Sequence, residues 1–253
     1  MKIGIVQYSP VWEDREQNFL KIKELIERNV KDEQIIILPE MSLTGFTMNS
    51  SKFAEDIDGF ATTGFIKLAA NLRKHIIAGI IEREEDNIYN SLYHIDGSGI
   101  IFARYRKVHP FSYSKEDKFY TAGSEPVITQ INKTDIGLSI CYDLRFPELY
   151  RHYGKKRTKA MINIANWPVD RIEHWKHLLK ARAIENQAYM IGVNRTGTDP
   201  FYEYNGSSAV YDPMGKEIFS AGNEEGFYSV EIDTEYSASI QERFPFLKDI
   251  RLL

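Results

Sequence analysis

Between Gln34 and Glu40 the chain runs Ile35-Ile36-Ile37-Leu38 and then stops at Pro39. The run is apolar on both of its faces, which predicts a strand covered above and below, as in a sheet with helices packed over it. Proline closes the strand because it cannot donate to a ladder, and Glu40 therefore stands just past a carboxyl end. On the amino-terminal side, Ile3 to Val6 form a short β-branched run, and Phe19, Ile22, Leu25 and Ile26 recur at helical spacing between charged residues. On the other side Phe65, Leu68, Ala69 and Leu72 predict a second helix, which feeds a strand from Ile76 to Ile81. The order to this point is βαβαβ.

The middle of the chain changes character. Ile88 to Ile95 and Ile100 to Arg106 flank Asp96-Gly97-Ser98-Gly99, a hairpin turn, and Val127 to Ile131 and Ile136 to Cys141 form another pair. Helix and strand then resume over Pro147 to Tyr153, Ala160 to Ala165, Arg171 to Asn186 and Ala188 to Val193. A late hairpin from Ser207 to Ser220 turns at Asp212-Pro213-Met214-Gly215, and Gly226 to Ile232 supplies a final strand. Buried strands, hairpins and at least four amphipathic helices predict an α/β fold of two mixed sheets with helices outside, a four-layer αββα sandwich. No repeat, low-complexity tract or Pro/Gly/Ser-rich linker interrupts the chain, so residues 1–253 read as a single domain. Lys107 to Pro126 lack clear periodicity, and a loop that long inside a compact domain usually carries function.

Composition narrows the function. A net charge of −4 argues against a whole-surface nucleic-acid binder, which normally carries a basic excess. No apolar stretch approaches bilayer length, and the apolar start is too short for a secretory segment, so no membrane partner is expected. There is one cysteine, which rules out an internal disulfide and a zinc site built mainly from thiolates. With no export signal and no disulfide, a cytoplasmic location is expected. Cys141 is then either a buried small hydrophobe or a reactive group. It ends the apolar strand, and Pro147 six residues on suits a helix's first turn. A strand-to-helix turn exposes a nucleophile and offers free backbone N–H groups to a thiolate or an oxyanion. Glu40, at its own strand end, is expected to be partly desolvated, with a raised pKa that suits proton exchange near neutrality, although position alone favours a surface carboxylate in an ordinary turn. Lys107 follows the strand Ile100 to Arg106 and opens the long loop; position alone leaves it a solvated surface lysine.

Three blocks, Leu38-Pro39-Glu40-Met41-Ser42-Leu43-Thr44-Gly45-Phe46, Arg106-Lys107-Val108-His109 and Ile140-Cys141-Tyr142-Asp143-Leu144-Arg145-Phe146-Pro147-Glu148, resemble the signatures of the nitrilase superfamily of carbon–nitrogen hydrolases, in that family's order. The resemblance extends over essentially the whole chain. The third block, Asn166-Trp167-Pro168, and His174-Trp175 leading towards Ala181 to Tyr189 are most similar to the ω-amidase branch, which deamidates small monoamides of dicarboxylic acids such as 2-oxoglutaramate and succinamate. Related branches act on N-carbamoyl compounds, nitriles or deaminated glutathione. The resemblance implies Cys141 as nucleophile, Glu40 as proton carrier, and Lys107 with the Tyr142 N–H as the support for a tetrahedral oxyanion. It also implies Glu116, in the long loop, as a second glutamate that positions the lysine and substrate, Trp167 as a pocket wall, and Arg145 as either the substrate-carboxylate ligand or an ion-pair partner holding the turn. No cofactor and no metal are implied, and the expected partners are a small amide and further copies of the chain, as a homodimer or higher oligomer.

Other readings compete. His109 lies two residues from Lys107, so a cysteine–histidine pair is conceivable, although nothing in the residues selects it among six histidines. Glu173, His174 and His177 share a predicted helix, yet their spacing matches no recognised zinc helix. A non-catalytic binding protein on the same fold would be free to lose Glu40, Lys107 or Cys141, and all three are present. The apolar tail Phe244 to Leu253 can join an intersubunit contact or pack on its own subunit.

Overall fold

The computed structural model describes residues 1–252. Its first half supplies β1 (Lys2–Gln7), β2 (Ile35–Ile37), β3 (His75–Glu84), β4 (Asn87–Ile95) and β5 (Ile101–Arg106). The second half supplies β6 (Val127–Ile131), β7 (Thr134–Ile140), β8 (Ala160–Ala165), β9 (Tyr189–Asn194), the small hairpin of β10 (Thr196–Thr198) and β11 (Glu203–Asn205), then β12 (Ala209–Tyr211), β13 (Glu217–Ser220) and β14 (Gly226–Glu231). The helices are α1 (Arg15–Asn29), α2 (Ser50–Phe53), α3 (Phe60–Leu72), α4 (Pro147–Lys155), α5 (Ile172–Asn186) and α6 (Thr234–Arg243).

Two six-stranded mixed sheets result, in the orders β14-β1-β2-β3-β4-β5 and β13-β12-β9-β8-β7-β6. From β14 across to β5 the pairings run antiparallel, parallel, parallel, antiparallel, antiparallel. From β6 across to β13 they run in the same succession. The two sheets thus share one succession of pairings, although the sequence shows no repeat and β14 returns from the second half of the chain to the first sheet. Helices α1 and α3 pack on the outer face of the first sheet, α4 and α5 lie outside the second, and the inner faces meet between β1 and β9 and between β4 and β7. The architecture is the predicted αββα sandwich.

The isoleucine run shows how both faces are used. Ile35 and Ile37 point into the core shared with Ile136, Leu138 and Ile140, while Ile36 and Leu38 join Ile22, Ile26, Phe65 and Leu68 beneath the helices. Each is fully buried, so truncation of any one to alanine is expected to cost about 2–5 kcal/mol. Helix α1 starts where Asp14 accepts from the Gln17 N–H at 3.0 Å, satisfying one of the helix's unpaired donors.

Three features differ from the sequence reading. The stretch from Lys107 to Pro126 is not featureless, since short helical turns form at Ser112–Ser114 and Glu116–Lys118. The hairpin of β10 and β11 and the helix α6 were not anticipated. Beyond α6 the tail makes a turn over Phe246–Asp249 against α4, with Phe246 and Leu252 left exposed; Leu253 lies outside the described residues.

Candidate active site

Two central strands end at the same place, one in each sheet. Glu40 follows β2 and Cys141 follows β7; Asn166 follows β8, the counterpart of β2 in the second sheet. Glu40 sits on a backbone held against β3: the Ser42 N–H donates to Gly79 O at 2.9 Å, and the Gly79 N–H donates to Ser42 Oγ at 2.9 Å. Only glycine permits this approach, because a Cβ at position 79 would lie 2.3 Å from Met41 N. Met41 itself takes the left-handed conformation, with φ +45°.

The Glu40 carboxylate is fully enclosed and saturated with donors. Lys107 Nζ reaches Oε1 at 2.9 Å and Asn90 Nδ2 reaches the same oxygen at 2.7 Å, while Asn166 donates from its backbone N–H to Oε2 at 2.9 Å. The Asn166 side-chain amide also donates to Glu40 O at 2.8 Å. Lys107 Nζ is shared with Glu116 at 2.9 Å, and Asn90 bridges across to Glu116 Oε1 at 2.8 Å. One cation, two carboxylates and one amide therefore form a closed cluster, all buried. Burial pushes the Glu40 carboxyl up, but the Lys107 charge and the donors from Lys107, Asn90 and Asn166 outweigh it and hold Glu40 below its ordinary value. This corrects the raised pKa expected from desolvation alone. Burial raises Glu116 above its ordinary value against the pull of Lys107, with the like charge of Glu40 adding to the rise. Lys107 is held well above its ordinary value: burial opposes its charge, but the charges of Glu116 and Glu40 prevail.

Cys141 adopts φ +46°, a left-handed conformation that costs a residue with a Cβ about 1–3 kcal/mol and turns the chain abruptly from β7 into the helical turn Cys141–Arg145. That turn is pinned by Asp143, which is fully buried. Its carboxylate accepts from the Ile140 N–H at 3.0 Å, from Tyr105 Oη at 2.7 Å and from the His109 N–H at 3.0 Å. Tyr105 and His109 flank Lys107 at a separation of two residues, so Asp143 ties the cysteine turn directly to the lysine segment. Arg182 of α5 closes the turn from behind, donating to Leu144 O at 2.8 Å. The cysteine is not exposed as expected: Sγ is buried and approaches Asn166 O at 3.9 Å. Burial, reinforced by the Glu40 charge, pushes its thiol well above the ordinary range despite Lys107. The sulfur therefore rests as a thiol, not as the thiolate the turn geometry alone suggested.

Outside this cluster opens a pocket walled by Phe46, Phe111, Tyr142, Trp167, Tyr202 and Tyr204 around Cys141. Trp167 is fixed there by Asn194, which accepts its backbone N–H at 2.7 Å. Phe46 also faces the Lys107 ammonium, 5.4 Å from the ring centroid.

The carbon-nitrogen hydrolase family model matches residues 2–242. The chain belongs to that family. It is 35% identical to the 2-oxoglutaramate amidase of Bacillus subtilis, over 98% of this chain and 97% of that protein. The omega-amidase YafV of Escherichia coli is 33% identical, over 98% and 96% of the two chains. Among solved structures, a Xanthomonas campestris protein described as a CN-hydrolase superfamily member with an arsenic adduct in its active site superposes with a TM-score of 0.95 at 31% identity, covering 100% of this chain and 98% of that one. The chain is thus an amide-hydrolysing enzyme of the nitrilase superfamily and falls in its ω-amidase branch.

In this hydrolase the other candidate residues are distributed as follows. Arg145 lines the pocket, but among the described residues it makes no ion pair; Asp143 and Arg182 hold the turn. Its guanidinium lies 4.8 Å from the Trp167 ring centroid and 6.0 Å from that of Tyr142, with one contact to His174 Nδ1 at 3.2 Å. His109 is turned away from the sulfur, bound to Asp143 Oδ1 at 2.8 Å and stacked on Phe146. Glu173 and His177 are exposed on α5, where His177 Nδ1 meets Glu173 O at 2.7 Å. No group of three or more His, Cys, Asp or Glu residues able to hold a metal ion occurs among the described residues. The sequence reading missed Asn90, Asn166 and the anchoring role of Asp143. Asn90 and Ser91, a polar pair inside an otherwise apolar strand, were the available signal.

Proposed function

We propose that this hydrolase is a thiol ω-amidase that removes the terminal amide of a small dicarboxylate monoamide, of the 2-oxoglutaramate or succinamate type, as ammonia. The observation that carries the substrate class is Arg145: a cation without a carboxylate partner among the described residues, held over aromatic faces in the pocket onto which Cys141 opens. A half-buried cation in that position favours a substrate with a carboxylate at the end remote from its amide. The likeness to a protein named 2-oxoglutaramate amidase supports the same class.

Cys141, Glu40 and Lys107 are the catalytic residues of this reading. The Cys141 sulfur attacks the amide carbon while its proton passes to Glu40, and the carbonyl π electrons move to oxygen. Lys107 and the Tyr142 N–H, a first-turn donor with no intrahelical acceptor, stabilise that oxyanion. Collapse breaks the C–N bond as Glu40 returns the proton to the departing nitrogen, giving ammonia and a thioester. Water then attacks the thioester with Glu40 taking its proton, the C–S bond breaks, and the thiolate recovers the proton from Glu40. The thiol's proton affinity is raised and that of Glu40 is lowered, which favours attack concerted with proton transfer over prior formation of a free thiolate. Glu116 holds Lys107 on line with Glu40, and Trp167 walls the acyl chain. The chain is read as one hydrolase domain, acting in the cytoplasm as a homodimer or higher oligomer joined in part through the apolar tail after Phe244.

Ammonia release from succinamate, 2-oxoglutaramate, glutaramate, a carbamoyl amino acid and a simple nitrile tests the substrate class. Preference for the carboxylate-bearing amides is expected, and preference for an uncharged substrate would sink it. Cys141→Ala is expected to abolish turnover without loss of folding; retained turnover overturns the nucleophile assignment.

A further inference from the structure

We propose that Arg171 is a second binding residue for the substrate's remote carboxylate, acting with Arg145 as a split cationic clamp. The proposal rests on the dicarboxylate-monoamide reading above and assigns a specificity role within it. Arg171 ends the short helical turn Val169–Arg171 that follows the Trp167-Pro168 corner, and it lines the same pocket as Cys141 and Arg145. Its backbone is fixed from both sides: Trp167 Nε1 donates to Arg171 O at 2.7 Å, and the Arg171 N–H donates to Pro168 O at 3.2 Å. Its guanidinium carbon lies 5.6 Å from the Phe111 ring centroid and 5.8 Å from that of Tyr202. These rings come from two separate loops that are themselves joined, since Tyr202 Oη and Ser114 Oγ meet at 3.0 Å.

The guanidinium has no carboxylate and no hydrogen-bond acceptor of its own among the described residues, although Asp170 and Glu173 are near in sequence. Aromatic faces hold a guanidinium in place while leaving its in-plane N–H groups open to solvent or to a ligand, so the partly buried side chain is positioned without being occupied by a protein acceptor. Arg145 is positioned in the same manner over Trp167 and Tyr142. Partial burial already disfavours the Arg145 charge, and the Arg171 charge repels it across the pocket. Among the lining residues there is no carboxylate to offset them. A bound carboxylate offsets the repulsion and can accept from both guanidiniums at once, because its two oxygens offer about four acceptor sites. A neutral amide forgoes these charge-assisted bonds and leaves the repulsion in place, so it binds less well.

The test compares succinamate with its uncharged analogue butanamide, using the wild type, Arg171→Gln, Arg171→Lys and Arg145→Gln, each checked for an unaltered melting transition. The expected result for Arg171→Gln is a fall of about tenfold to a hundredfold in the succinamate-to-butanamide ratio of kcat/KM, carried mainly by KM, with partial recovery in Arg171→Lys. An unchanged ratio in Arg171→Gln together with a collapsed ratio in Arg145→Gln overturns the Arg171 assignment and leaves the substrate class standing. Equal losses on both amides also overturn it, since they mark a structural role. A wild type that shows no preference for succinamate overturns the substrate class and the clamp together.

Discussion

Replacing Gly79 by alanine adds one methyl group at the place where β3 supports the glutamate loop. That Cβ would meet Met41 N at 2.3 Å and both Glu40 C and Cα at 2.8 Å, all of them backbone atoms that no rotamer change can move. Restoring an ordinary contact of about 3.4 Å requires the Glu40–Met41 segment to retreat by about 1 Å. The segment cannot easily twist away, because Met41 already has φ +45° and Ser42 is tied twice to Gly79. The displacement passes to the Glu40 carboxylate, whose bonds to Lys107 and Asn90 are 2.9 and 2.7 Å long and have no slack. A 1 Å misplacement of a reacting group, the role proposed for Glu40, costs about 10²-fold in rate, or about 2.7 kcal/mol of barrier. Overpacking of this kind also destabilises by about 1–3 kcal/mol. Steady-state ammonia release from the preferred amide, with calorimetry on the same sample, separates the two effects. A Gly79→Ala protein that is fully folded at the assay temperature and keeps kcat within about threefold of the wild type would refute the reasoning.

Lys107→Met leaves Glu40 and Glu116 as two buried carboxyl groups without their shared cation, so a loss of about 3–5 kcal/mol in unfolding free energy is expected along with loss of turnover. Denaturant unfolding at pH 7 checks it, and a loss under 1 kcal/mol contradicts the role of the pair. His94, buried between the sheets with Nδ1 2.6 Å from Thr129 Oγ1, is pushed down to about 4, chiefly by burial with the His75 charge adding. The unfolded chain therefore binds its proton first, and this group's contribution is complete above about pH 6.5 and lost as pH falls towards 4, about 3 kcal/mol in all. Unfolding free energies measured across that interval should fall in the wild type, and His94→Gln, which has nothing to titrate, should lack that portion of the slope.

What was legible in the sequence depended on whether the signal was local. The isoleucine run and the hairpin at Asp96-Gly97-Ser98-Gly99 declare their structures within a few residues, and Glu40, Lys107 and Cys141 could be placed at strand ends for that reason. Helix α6 escaped because it docks largely through polar contacts: Gln241 Nε2 donates to Thr158 O and to Gln187 O, each at 3.1 Å, and periodicity of apolar residues does not register such anchoring. Asn166 escaped for a related reason. Its partner Glu40 is 126 residues away, and nothing local distinguishes an asparagine that saturates a buried carboxylate from one that ends a strand. The same gap explains the reversed pKa expectations. Burial could be inferred for Glu40, but the three donors that overcome it come from β4, the end of β5 and the end of β8.

The shared topology of the two sheets gives those long-range contacts a common origin. Parallel central strands place their carboxyl ends on one side of each sheet, and β2 and β8 are equivalent strands by their pairings. Glu40 and Asn166 leave these equivalent positions and bond to each other across the joint between the sheets. Lys107 at the end of β5 and Cys141 at the end of β7 come from opposite sheets as well, and Asp143 ties their segments together through Tyr105 and His109. The acid and cation thus belong to one half of the sandwich, and the sulfur, with the Asn166 N–H that orients the acid, to the other. On the proposed mechanism neither half holds the nucleophile and the proton acceptor together, so the geometry of the reaction would depend on the packing of Ile35 and Ile37 against Ile136, Leu138 and Ile140. A cavity in that layer is therefore expected to lower kcat as well as stability, whereas one of equal size on the helix side of the first sheet, at Ile36, should lower stability alone.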